Sequence, residues 1–349
     1  MMVALGVFLH AVGGFAAGSF YIPFKKVRNW AWESYWLVGG VFSWILMPWL
    51  IALVTVPPLL SLAGHVPMQS VLRCYLFGVL WGIGGLTFGL SMRYLGMSLG
   101  YAIALGFCAA FGTIIPPIID GTFSNLVTRQ SGLTVLGGVA VCLAGIALCG
   151  WAGMAKEREL STAQKQATIK EFSFSKGLIV AVFAGVMSSC MALGIAAGKP
   201  IAQLATQHGT ASLWQNSPVF ILIFAGGFTT NFIWCLILNL KNRSATDYLA
   251  GGKAPLAANY FFSALAGITW YLQFMFYGMG TTRMGRYDFS SWTVHMAFII
   301  VFSNLWALWF REWRGSSRRT LTIVIVGITV VFLSTVLVGV GNYLEAIGR

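Results

Sequence analysis

The stretch TLTIVIVGITVVFLSTVLVGV runs from Thr320 to Val340 without one charged residue. At 1.5 Å per residue a helix of this length matches the ~30 Å hydrocarbon layer of a bilayer. Nine further runs of the same kind precede it, giving spans at about 3–22, 33–56, 70–92, 97–119, 132–152, 177–198, 217–240, 256–280, 287–310 and 320–341. Hydrophobic residues make up 58% of the chain and charged residues only 9%, against roughly 25% charged in a soluble domain. The expected fold class is therefore an all-α integral membrane protein of ten transmembrane helices, with the lipid bilayer as its solvent.

A net charge of +13 invites a nucleic-acid partner. The distribution excludes it, because the basic residues sit in short gaps between apolar runs, as loops at an anionic membrane surface do. Most of the 22 Lys and Arg fall on one side of the spans, among them Lys25, Lys26, Arg28, Lys156, Arg158, Lys241 and Arg311. Arg73, Arg129, Lys199, Arg283, Arg286 and Arg349 fall on the other. The richer side is expected to be cytoplasmic, which places both termini in the periplasm of a bacterial-type inner membrane. The first apolar stretch lacks a basic segment before it, which suits a retained span rather than a cleaved leader.

The polar segment 153–176 divides five spans (1–152) from five (177–349). An odd number of spans per half gives the halves opposite topology, so two inverted five-helix repeats are expected. WGIGGLTFGLSMRYLG from Trp81 aligns without a gap on WYLQFMFYGMGTTRMG from Trp270, matching Trp81 to Trp270, Gly89 to Gly278 and Gly96 to Gly285. Both strings occupy the third span of their half. Gly78, Gly82, Gly85 and Gly89 form a small-residue stripe for close helix packing or for a gap that admits substrate.

The six cysteines lie in or beside apolar runs without a CxxC pair, so they are expected to be packing residues, with no metal site. No phosphate loop, zinc spacing or nucleophile elbow is present. Enzyme chemistry therefore has no anchor, and neither a cofactor nor an obligate protein partner is expected.

The informative residues are polar groups within the spans, which hydrocarbon makes costly. On the ninth span Asp288, Ser291, Trp292 and His295 recur at spacings of 3, 4 and 7, which puts them on one helical face. Desolvation favours the protonated form of a carboxylate, so Asp288 or His295 can carry a proton. On the eighth span Trp270, Gln273 and Tyr277 share a face. An aromatic plane beside an amide suits a sugar, whose ring has C–H faces and hydroxyl edges. Counting from the outer helix ends, His10, Gln273 and His295 fall in one layer roughly 11 Å deep, with Trp81 and Trp270 nearer the midplane. Glu33 follows Lys25, Lys26 and Arg28, and nearby cations favour its ionised form. Glu33 and Lys25 are expected to be a gate or an anchor. Asp120, after Pro116 and Pro117, reads as a solvated cap.

Four strings carry a resemblance: SFYIPFKKVRNWAWESYWLVGGVFSWILMPW from Ser19, the Trp81 string, WYLQFMFYGMG, and YDFSSWTVHM from Tyr287. Together the chain resembles the L-rhamnose/proton symporter family of the drug/metabolite transporter superfamily across all ten spans. The resemblance implies import of L-rhamnose or a close sugar with H+ as coupling ion, through a central cavity. It places Gln273, Asp288, Trp292 and His295 on motif positions. Where the family usually has Asn and Tyr, this chain has Gly85 and Phe88. Export or import of a different metabolite is the alternative within the same superfamily.

Overall fold

The computed structural model describes residues 2–57, 59–62, 64–95, 97–159, 173–249 and 255–348. Ten long helices organise them: α1 (Met2–Ser19), α2 (Trp32–Thr55), α3 (Met68–Leu95), α4 (Met97–Ile119), α5 (Gln130–Glu159), α6 (Phe174–Ala197), α7 (Ser217–Asn242), α8 (Leu256–Thr281), α9 (Ser291–Trp309) and α10 (Arg318–Ala346). All regular structure among the described residues is helical. Backbone groups in hydrocarbon must pair within their own segment, and a helix does this.

Nine segments among the described residues are long and apolar enough to cross a membrane. α8 is as long as the others, at 26 residues. It is not among the nine, because Asn259, Ser263, Trp270, Tyr271, Gln273 and Tyr277 dilute its apolar character. Most of these residues face inward: Asn259, Ser263, Tyr271, Gln273 and Tyr277 are all buried.

The principal packing partners are α5 with α10, α3 with α4, α6 and α7, α4 with α5 and α6, α1 with α8 and α9, α9 with α10, and α2 with α7 and α8. The α5–α10 seam has a seven-residue rhythm. Val324, Gly327, Val331, Ser334, Val338 and Gly341 are buried on α10, and Val135, Gly138, Cys142 and Gly145 on α5. Such a repeat with small residues lets two helices lie close along their length. The opposite side of α10, with Ile325, Phe332, Leu333 and Val336, is exposed as a lipid-facing stripe.

Four departures from simple spans occur along the chain. α2 switches to π-helical bonding over Val41–Leu46, immediately before Pro48, which lacks an N–H and cannot take the ordinary i−4 bond. α5 continues through Glu159, into the segment expected to be linker. There Glu159 accepts hydrogen bonds from Ser317 Oγ (2.6 Å) and Thr320 Oγ1 (2.6 Å), tying the end of α5 to the start of α10. Of the remaining linker, 160–172 lies outside the described residues and 173–176 leads into α6. Beyond α6 the chain forms a short amphipathic helix, Lys199–Gln207, where a plain loop is expected. Finally, α9 is preceded by a 3-10 segment, Gly285–Ser290, that begins on a left-handed glycine (φ +70°). Tyr287 leaves helical geometry there (φ −95°, ψ 39°). Asp288 therefore does not share one continuous α-helical face with Ser291, Trp292 and His295. This corrects the single-face reading of the ninth span.

Candidate functional site

Three helices bring together three residues that the sequence places far apart. His10 of α1, Tyr277 of α8 and His295 of α9 are all buried. Their ring centroids lie 5.3 Å (His10–Tyr277), 5.1 Å (Tyr277–His295) and 6.1 Å (His10–His295) apart. The shared layer expected from residue counting is thus a contact for the two histidines. Gly280 makes room for it: a Cβ there would stand 2.8 Å from the His10 ring. Neither ring nitrogen of His10 has a hydrogen-bond partner among the described residues, and the His295 ring lies against the His10 backbone. A buried imidazole without a partner is costly in a packed interior, and such sites tend to serve binding or proton transfer.

Trp292 extends the cluster, 5.7 Å from Tyr277. Its indole N–H donates to the Cys108 carbonyl of α4 at 3.0 Å. The next residue, Thr293, shares a hydrogen bond of 2.6 Å with Thr113, so α9 is pinned to α4 at two consecutive positions. On the other side Phe274 lies 6.2 Å from His295 and 4.9 Å from Trp270. Trp270 meets Trp81 at 5.6 Å and Trp44 at 5.5 Å. An aromatic path therefore runs from the histidines to a tryptophan cluster among α2, α3 and α8. Gln273 is buried on α8, one turn before Tyr277, with its carbonyl close to Gly13 of α1.

Tyr277 also lines a cavity of about 320 Å³, together with Gly112, Ile195, Lys199, Gln203, Gln215, Asn216, Thr281, Arg286 and Asp288. Small-molecule sites commonly span ~300–1,000 Å³, with a few placed polar groups. Asp288 does not pair with its neighbour Arg286 here. Its carboxylate meets Lys199 Nζ at 3.2 Å, and Asp120 meets the same ammonium at 3.7 Å. In the sequence Lys199 reads only as an outer-side charge and Asp120 only as a cap. The single available signal was that Lys199 directly follows an apolar span.

A second cavity, of about 240 Å³, lies among α4, α5 and α9 and is lined by Cys149, Lys156, Ser303, Asn304, Glu312 and Trp313. Near this end Lys25 pairs with Glu312 at 3.4 Å and sits 4.5 Å above the Phe310 ring. Glu33 is buried and accepts hydrogen bonds from Asn242 (2.9 Å) and Ser244 (2.6 Å). Next to it Asp247 accepts from Ser34 Oγ (2.7 Å) and the Ala31 N–H (2.8 Å). These bonds fasten the start of α2 to the loop after α7. In that loop burial raises the Tyr248 hydroxyl above its ordinary range, opposed by the Asn239 hydrogen bond.

Of the glycine stripe on α3, Gly78 and Gly82 press against α7 at Ile223 and Thr230, whereas Gly85 and Gly89 face open space. Among the described residues no group of three or more His, Cys, Asp or Glu could hold a metal ion.

The family profile described as L-rhamnose-proton symport protein (RhaT) matches residues 1–343. The L-rhamnose-proton symporter of Yersinia pestis (strain Pestoides F) is 37% identical over 342 residues, covering 97% of this chain and 98% of the relative. That of Yersinia pseudotuberculosis serotype O:1b (strain IP 31758) matches with the same identity and coverage. The chain belongs to the L-rhamnose-proton symport protein family.

Proposed function

We propose that this protein imports L-rhamnose together with a proton across the bacterial inner membrane, by alternating access. The observation that carries the reading is the buried cluster His10, Tyr277 and His295, set beside a cavity of monosaccharide scale that also holds Asp288. L-rhamnose is neutral, so holding it needs no fixed charge. Of the expected binding residues only Tyr277 lines this cavity; with the cluster behind it opened, Trp292 and Trp270 would offer apolar faces for the ring and methyl group, and Gln273 and His10 would offer hydrogen bonds to the hydroxyls. Asp288 or His295 takes the proton. Neutralising a carboxylate lowers the cost of carrying it into a closed, water-poor state. A proton moving down 100 mV gains roughly 2.3 kcal/mol, enough to drive accumulation of a neutral sugar. H+ is the coupling ion, no cofactor takes part, and the protein is a carrier rather than an enzyme.

The scaffold we propose is ten transmembrane helices in two inverted repeats, with both termini periplasmic. Exchanging α1–α5 with α6–α10 maps most of the principal packing pairs onto one another, which supports the two-repeat arrangement. α3–α6 becomes α8–α1, α4–α6 becomes α9–α1, α3–α7 becomes α8–α2, and α4–α5 becomes α9–α10, while α5–α10 and α2–α7 map onto themselves. α8 is then a full span whose polar residues face the pathway.

A sugar panel tests the cargo. L-rhamnose should raise the unfolding temperature of the purified protein, because a ligand that binds only the folded state stabilises it by mass action. Stabilisation by a different sugar or metabolite, with none by L-rhamnose, would move the protein to another cargo of the same superfamily.

A further inference from the structure

Two ion bridges stand at opposite ends of the helices. Lys199 directly follows α6, and its partner Asp120 directly follows α4. Lys25 follows α1, and its partner Glu312 follows α9. Exchanging the two halves turns α6 into α1 and α4 into α9, so it turns one bridge into the other. Each bridge joins a lysine of one half to a carboxylate of the other half. Each also sits at a cavity: Lys199 lines the 320 Å³ cavity, and Glu312 lines the 240 Å³ cavity.

Lys199 carries an additional contact. It reaches Asp288 at 3.2 Å, so one ammonium is shared between two carboxylates. The Lys199–Asp288 contact spans the cavity from the α6 side to the start of α9. Among the described residues, the other charged or titratable groups around Asp288 are Asp120, Tyr277 of α8, Arg286 and Tyr287 on its own segment, and Glu345, whose carboxylate lies near Gly285.

We infer that these bridges are the two gates of one transport cycle, and that Lys199 is the positioning residue through which a proton on Asp288 loosens the outer gate. The inference rests on the alternating-access reading above. With Asp288 ionised, Lys199 is held across the mouth by two carboxylates. A proton on Asp288 leaves it only Asp120, and the mouth widens to admit sugar. The Lys25–Glu312 bridge restrains the opposite face in the same way, so weakening either bridge opens its own side and closes the other. The proton therefore acts before the sugar.

Thiol labelling of the purified full-length protein in detergent tests this directly. Gln203→Cys reports on the outer cavity, and native Cys149 reports on the inner one. Each rate is taken relative to a free thiol at the same pH and read by mass spectrometry of the labelled peptide. Lys199→Gln, or Asp120→Asn from the other side of the bridge, should speed labelling at position 203 and slow it at Cys149. The change should be roughly two- to fivefold, as a partly exposed ion pair supports. Glu312→Gln should do the reverse, and Lys25→Glu combined with Glu312→Lys should restore both rates. Acid should speed labelling at position 203 unless Asp288→Asn is present. Unchanged rates, both cavities speeding up together, or failure of the charge swap to restore them would overturn the inference. No sugar enters the assay. Reciprocal labelling without any L-rhamnose uptake would therefore keep the gates and remove only the cargo.

Discussion

Trp81 and Trp270, the residues equated by the gapless alignment of the two halves, touch: their ring centroids lie 5.6 Å apart, with planes inclined by 36°. Residues related by a two-fold axis can touch only beside that axis. Their contact, and the self-paired seams α5–α10 and α2–α7, therefore mark where the axis of the proposed inverted repeat would run. Trp44 meets both rings, at 6.3 Å and 5.5 Å. The two tryptophans should therefore act as a unit. Trp81→Ala and Trp270→Ala should each lower the unfolding temperature. The double variant should lose less than the two losses combined, with a coupling of about 0.5–1.5 kcal/mol in a double-mutant cycle.

The histidines should matter for transport rather than for assembly. His295→Gln and His10→Gln keep polar side chains of similar reach but remove a titrating ring. Both proteins should accumulate in the membrane at wild-type levels while L-rhamnose uptake falls at least tenfold. Uptake assays on membranes with matched protein amounts provide the check, and full uptake by His295→Gln would remove it from the site.

Gly280 gives a steric version of the same experiment. A Cβ at this position would stand 2.8 Å from His10 Cε1 and Nε2, and 3.1 Å from the Gly6 carbonyl. Gly280→Ala must push the imidazole or separate α1 from α8, which costs about 1–3 kcal/mol by overpacking. Thermal unfolding and uptake should both fall. At Gly89, which faces open space, the same substitution should leave stability nearly unchanged.

How much of this was legible in the sequence depended on whether a residue violated its surroundings. A buried polar group in hydrocarbon does so openly, and for this reason His10, Gln273, Tyr277, Trp292 and His295 stand out by spacing and depth. Spans were visible for the same reason, since unbroken apolar runs have no stable place in water. Lys199 violates nothing: a lysine at the end of a span looks like an interfacial charge. Only the fold brings it to Asp288, across 89 positions of chain. The α5–α10 seam was hidden because Gly, Val and Cys read alike whether they face a partner or lipid. The 3-10 turn before α9 was hidden because its bonding depends on Gly285 taking a positive φ, and Asp288 consequently leaves the face that a regular helix would give it. The proposed internal repeat is legible only where large side chains would anchor it, at Trp81 and Trp270.

Asp288 carries the coupling claim in the site. Asp288→Asn keeps the shape of the side chain, removes its charge and fixes it in a state like the protonated one. L-rhamnose exchange between the two sides should continue, and accumulation driven by a proton gradient should be lost. Counterflow and gradient-driven uptake measured in the same vesicles separate the two outcomes. Full proton-driven accumulation in the Asp288→Asn variant would transfer the proton to His295.

In proton symport the sugar crosses with a proton. The most direct measurement adds L-rhamnose to de-energised, weakly buffered cells expressing the protein and follows external pH. Symport predicts prompt alkalinisation, absent without the protein and absent with a sugar that does not bind. Entry of L-rhamnose with no change in pH would contradict it.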